Sequence, residues 1–89
     1  MPEESLEHRR KRLLYRSRYT GMKEMDALLG RFADRYLEIL DAGQLDRYGL
    51  LLEAGDPNLL SWILEKSQPP PEYDHDVLKL LIDIKNSPL

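Results

Sequence analysis

The chain predicts an all-α fold: a compact five-helix bundle forming a single domain over residues 1–89, with a core between about residues 5 and 86 and short flexible ends. Three observations carry this. Apolar residues recur at i, i+3, i+4 and i+7 through most of the chain. Ser, Asp, Gly and Pro punctuate that pattern where helices are expected to start and stop. Strand signals are weak, because Val and Ile are scarce, alternation is not sustained and no Asn-Gly or Asp-Gly hairpin turn occurs.

Each element follows from local chemistry. Ser5 offers an N-cap to a first helix with Leu6, Leu13 and Leu14 on one side and arginines around the rest. Thr20 or Gly21 opens a second, running to about Leu40, whose apolar face is Met22, Met25, Leu28, Leu29, Phe32, Tyr36 and Leu37. With Gly21 as the cap, Glu24 stands at the third helical position, where its carboxylate reaches back to the free N–H groups of the first turn. Asp41 and Gln44 form a capping-box-like pair for a third helix, with Leu45, Tyr48, Leu51 and Leu52 inward and Gly55 just past its end. Asp56 as N-cap and Pro57 in the first turn start a fourth helix, to about Lys66, carrying Leu59, Leu60, Trp62, Ile63 and Leu64. Gln68-Pro69-Pro70-Pro71 reads as a stiff extended connection that cannot be helical. Asp74 caps a fifth helix bearing Val77, Leu78, Leu81 and Ile82, which frays near Asn86-Ser87-Pro88. Short connections favour antiparallel neighbours.

Composition excludes several classes of function. At 89 residues the chain has little surface to bury around a deep, dry active site. Its 42% apolar and 33% charged residues suit a soluble globular protein, and no apolar run is long enough to insert into a membrane. The start, MPEES, resembles neither a secretory signal nor a transit peptide. The lack of cysteine rules out disulfides, thiolate metal sites and cysteine nucleophiles, and His8 and His75 show no metal-ligand spacing. The expected setting is the cytoplasm or an equivalent reducing interior.

The net charge of −3 conceals an asymmetry. Seven Lys/Arg and no acid lie between Arg9 and Lys23, whereas thirteen Asp/Glu against six Lys/Arg follow from Glu24 onward. The two parts can attract each other, or the basic arm can meet an acidic partner. As a nucleic-acid module, the arm would set arginines on phosphates with Tyr15 or Tyr19 stacked on bases. An acidic isoelectric point and the lack of a continuing basic face speak against that reading, leaving a protein-facing patch or a solvated helix face. Trp62, on an apolar helix face, reads as core, and Asp74 and Asp76 as helix-dipole partners. No Ser/His/Asp set, phosphate loop or dinucleotide fingerprint is present, so an enzyme is not expected.

In order, RLLYRSRYTGMKEMD, LLGRFAD, AGDPNLLSWI, the proline-rich link and a last helix resemble the flavinylation and assembly factors of succinate dehydrogenase, over roughly residues 9 to 85. Two signatures carry the likeness. An acidic-Pro-x-Leu-x-x-Trp pattern is met in full by Asp56-Pro57-Asn58-Leu59-Leu60-Ser61-Trp62. An Arg-Gly-x-x-Glu pattern is met by Gly21 and Glu24, with Thr20 in place of the arginine and Arg16 and Arg18 close enough to supply its charge. The resemblance implies a chaperone that binds the flavoprotein subunit of succinate dehydrogenase or fumarate reductase and promotes covalent attachment of FAD to it. It implies no stably bound cofactor, only transient contact with the client's FAD, and a bacterial cytoplasm or mitochondrial matrix as the compartment. The expected partner-facing residues are Arg16, Arg18, Tyr19, Thr20, Gly21, Lys23 and Glu24, with Asp56, Pro57 and Trp62 structural. An exposed patch of this kind can also pair two copies of the free protein.

Overall fold

A computed structural model describes residues 5–87. Among these, the chain forms α1 (Leu6–Arg18), α2 (Lys23–Tyr36), α3 (Ala42–Glu53), α4 (Asp56–Ile63) and α5 (Asp76–Asn86), with a 3₁₀ turn at Pro71–Tyr73 and no strand. The all-α, five-helix expectation is met; Pro88 lies outside the described residues. α1 packs mainly on α2 and also on α3, while α5 lies against α2, α3 and α4. One continuous core joins Met25, Leu29 and Phe32 of α2 to Leu45, Tyr48 and Leu51 of α3, Leu59 and Ile63 of α4, and Val77 and Leu81 of α5. Phe32 and Tyr48 meet at its centre with ring centroids 4.8 Å apart. Trp62 is buried and stacks on Tyr73 at 4.8 Å, so its expected core role holds.

The caps on α1 and α3 follow the sequence. Ser5 Oγ accepts from His8 N–H, and Asp41 and Gln44 complete a reciprocal capping box. Gly55, at φ +99°, ends α3 as expected.

Three helix starts differ. α2 is capped by Met22, so neither Thr20 nor Gly21 is the N-cap, and Glu24 is its second residue and makes no bond back to the turn. Gly55 rather than Asp56 is the N-cap of α4, which moves Asp56 into the first turn as a helix-dipole partner with Pro57 after it. His75 rather than Asp74 caps α5, its Nδ1 accepting from Leu78 N–H at 3.3 Å. In each case the residue with extended or positive-φ backbone leading into the first turn lies one or two positions from the one whose side chain suits capping best.

Other boundaries shift for identifiable reasons. α2 ends at Tyr36, short of Leu40, where Arg10 of α1 caps the following turn by donating to the Leu37 and Leu40 carbonyls, both at 2.8 Å. Pro71 begins a 3₁₀ turn instead of continuing the extended link, as a proline can in a first turn. Leu6 is 40% exposed. It lies one turn before Arg10, which already reaches the end of α2. Ile84, absent from the expected face of α5, is buried.

Candidate functional site

Ser17 fixes the end of α1. It is fully buried; its Oγ donates to the Leu13 carbonyl at 2.7 Å and accepts from the Tyr48 hydroxyl of α3. Burial pushes the Tyr48 phenol well above its ordinary value, opposed by the Ser17 hydrogen bond and the Arg16 charge, so the hydroxyl stays a donor. With Ser17 pointing inward and about 100° per residue, Tyr15 and Tyr19 must face away from the core, and Arg16 and Arg18 must leave on opposite flanks.

That is what the structure shows. Tyr15 and Tyr19 are 66% and 67% exposed, with ring centroids 4.6 Å apart. Arg18 turns to α2 and pairs with Asp34 at 2.6 Å. Arg16 turns the other way, into a groove of about 190 Å³ lined by Tyr15, Arg16, Tyr19, Thr20, Leu52 and Asp56. The groove thus brings the end of α1 to the junction of α3 and α4, and puts Asp56 of the second signature beside Thr20 of the first.

The connection from α1 to α2 is held by Thr20. Its Oγ1 accepts from Met22 N–H at 3.1 Å and donates to Asp26 Oδ1 at 2.7 Å, and its own N–H donates to the same Asp26 oxygen at 2.7 Å. This small network positions the turn that precedes α2. Gly21 then adopts φ +98°, and a β-carbon there would meet nothing within 4 Å. Backbone conformation, not crowding from within, therefore requires glycine, and its outer side is open. Lys23 and Glu24 follow, both exposed, with no side-chain hydrogen bond or ion pair among the described residues.

Of the expected site residues, Arg16, Tyr19 and Thr20 line one groove, and Gly21, Lys23 and Glu24 sit on the adjoining turn. Arg18 is directed elsewhere. Tyr15, Leu52 and Asp26 complete the corner. The spacing of Tyr15 to Tyr19 was a visible signal of the aromatic pair; nothing local announced Leu52, which comes from α3.

Part of the basic helix is engaged from within. Arg9 pairs with Asp46 and Arg18 with Asp34, so attraction between basic arm and acidic body engages two of its arginines, while Arg10 donates to two backbone carbonyls. A nucleic-acid arm is not favoured by that arrangement. A second polar cluster joins α3 to α5: Arg47 Nε meets Asp76 Oδ1 at 2.9 Å and Gln44 Nε2 meets Oδ2 at 3.0 Å. The Gln44 hydrogen bond, followed by Arg47, holds the Asp76 carboxyl below its ordinary value. No group of three or more His, Cys, Asp or Glu among the described residues could hold a metal ion, and no helix there is long and apolar enough to cross a membrane.

The family described as the flavinator of succinate dehydrogenase matches residues 11–85. The chain belongs to that family. It is 46% identical over 85 residues to the mitochondrial succinate dehydrogenase assembly factor 2 of Dictyostelium discoideum, covering 94% of this chain and 60% of that protein. It is 44% identical over 82 residues to the mitochondrial succinate dehydrogenase assembly factor 2-A of Drosophila mojavensis, covering 90% and 52% respectively. The chain therefore spans about half to three-fifths of the length of these relatives. The matched span contains the whole corner and both signatures.

Proposed function

We propose that this flavinator-family chain is a non-enzymatic assembly factor that binds the flavoprotein subunit of succinate dehydrogenase and promotes covalent attachment of FAD to it. One observation carries the reading beyond family membership: the corner where the first signature meets Asp56 of the second keeps charged and aromatic side chains, namely Tyr15, Arg16, Tyr19, Lys23 and Glu24, that the fold does not consume among the described residues. The flavin supplies the electrophilic ring, and the attacking group belongs to the client. The chain's part is to hold the client where the reacting atoms meet, or to set charge beside them. Gly21 leaves room for a partner backbone, and Glu24 presents a carboxylate at the first turn of α2. The corner groove, about 190 Å³, is below the roughly 300 Å³ of small-molecule sites, which suits a partner side chain rather than a resident flavin nucleotide. The compartment is that of the client, a mitochondrial matrix or a bacterial cytoplasm, and the flavoprotein of fumarate reductase is the second client to test.

The test is deletion of the gene and complementation with the unaltered chain or Glu24→Ala, scored by in-gel fluorescence of covalent flavin in the flavoprotein. The expected result is loss on deletion, rescue by the unaltered chain and impaired rescue by the folded variant. Equal covalent flavin with and without the gene overturns the function; full rescue by Glu24→Ala overturns the role given to that residue.

A further inference from the structure

We propose that Tyr15 and Tyr19, with Leu52 and Arg16, form the anchor for one client segment: a large apolar side chain lying across the two rings, beside a carboxylate that pairs with Arg16. The inference rests on the function proposed above and names the chemistry of the partner at that surface.

Three observations carry it. The two rings are about two-thirds exposed and touch each other, yet contribute nothing to the core. Tyrosine is enriched among residues that dominate binding energy, since it brings a large contact area at small conformational cost. The second observation is the state of Arg16. Arg9, Arg10 and Arg18 each take an acceptor from the body of the protein, whereas Arg16, half-buried beside the groove, makes no hydrogen bond or ion pair among the described residues. Asp56 lines the same groove but does not come within ion-pair distance of Arg16, and it stands in the first turn of α4, where the helix dipole favours its charge. A partly desolvated guanidinium without an acceptor favours an incoming carboxylate. The third is scale. A groove of about 190 Å³ suits one side chain, and it opens beside the turn carrying Gly21 and Glu24, so an extended segment seated there continues onto the proposed interface.

The experiment measures affinity of the full chain for the purified flavoprotein subunit of succinate dehydrogenase by isothermal titration, with thermal melts of every variant. Tyr15→Ala and Tyr19→Ala are each expected to weaken binding about tenfold or more, and Arg16→Glu at least as much, with melting unchanged. Arg18→Ala, whose partner is Asp34, is expected to stay within about twofold. Arg16→Gln serves in place of Arg16→Glu if the charge reversal lowers the melting temperature. Tyrosine variants that bind within about twofold of the unaltered chain, while Glu24→Ala still impairs flavinylation, overturn the anchor and leave the function standing. A dimer of the free protein that Tyr15→Ala dissolves, with client affinity unchanged, assigns the rings to a second copy and overturns the client segment. Absence of any binding by the unaltered chain overturns anchor and function together.

Discussion

The hydrogen bond between Ser17 and Tyr48 is the one buried polar link between α1 and the core among the described residues, and its removal has a signature that can be worked out beforehand. Ser17→Ala leaves the Tyr48 hydroxyl, fully buried, with no acceptor. The cost of such an orphaned group is about 1–3 kcal/mol, offset by about 0.5 kcal/mol from the better helix propensity of alanine. Tyr48→Phe is different, because Ser17 Oγ keeps the Leu13 carbonyl as its acceptor and leaves no donor stranded. Its cost is that of a single hydrogen bond, about 0.5–1.5 kcal/mol. In the double variant nothing remains unsatisfied. The double-mutant cycle therefore shows coupling: the pair together costs about 1–2 kcal/mol less than the sum of the singles, and the helix-propensity contribution cancels. Urea unfolding of the four proteins measures this, and each kcal/mol corresponds to about 4–8 °C in melting temperature for a domain of this size. Additive singles would refute the reasoning, since they would mean that Tyr48 finds another partner once Ser17 is gone.

Three other outcomes follow from the structure. Glu65 sits at φ +59° just after α4, a left-handed position without a glycine, so Glu65→Gly should raise stability by about 1 kcal/mol, read as a higher urea midpoint; a lower midpoint would show that the side chain contributes more than the strain costs. Gly21→Ala should do the reverse, losing about 1–2 kcal/mol although no atom crowds the site, and an unchanged midpoint would show that the turn can relax out of positive φ. The His75 imidazole is held below its ordinary value, first by burial and then by the Arg47 charge, against the pull of Asp76 and Asp74. The unfolded chain then binds the His75 proton more readily, so this contribution is full above about pH 6.5 and is lost as pH falls from there toward the lowered folded value. Protonation also removes Nδ1 as the cap acceptor for Leu78, so His75→Asn, which keeps a cap, should flatten the fall in urea stability between pH 7.5 and 5.5; an identical slope would assign that fall to other groups.

The parts of the fold that could be read from sequence are those decided within a few residues. The Asp41–Gln44 box, the Ser5 cap and the Gly55 stop each use groups at fixed short offsets, and the inward faces of α3 and α4 follow the 3.6-residue period. The three displaced starts failed for one physical reason. An N-cap is set by the backbone angles of the residue leading into the first turn, and side-chain suitability is only a proxy for that. At Thr20 the proxy misled because its hydroxyl had a better use, tying Met22 N–H to Asp26 two and six residues away. At Asp56 the positive φ of Gly55 served the end of one helix and the beginning of the next together.

The division between Arg16 and Arg18 shows where local reading stops and the fold takes over. Two residues apart on a helix, they diverge by about 200°, so the sequence already required that at most one of them face a given neighbour. Which one stays available depends on Asp34, from α2, and on the positions of Leu52 and Asp56, from the junction of α3 and α4 more than thirty residues downstream. The choice is made by Ser17, whose burial against Tyr48 sets the rotation of α1 about its axis. Turning the helix by one residue would have buried Arg16 or Arg18 in its place, at a desolvation cost far above that of a satisfied serine. The same hydrogen bond that stabilises the bundle therefore decides which arginine is neutralised within the protein and which is left beside the exposed tyrosines. If the corner binds a client as proposed, a substitution at Ser17 should disturb that binding without touching the client, and the size of the loss measures how tightly the corner depends on the rotation of α1.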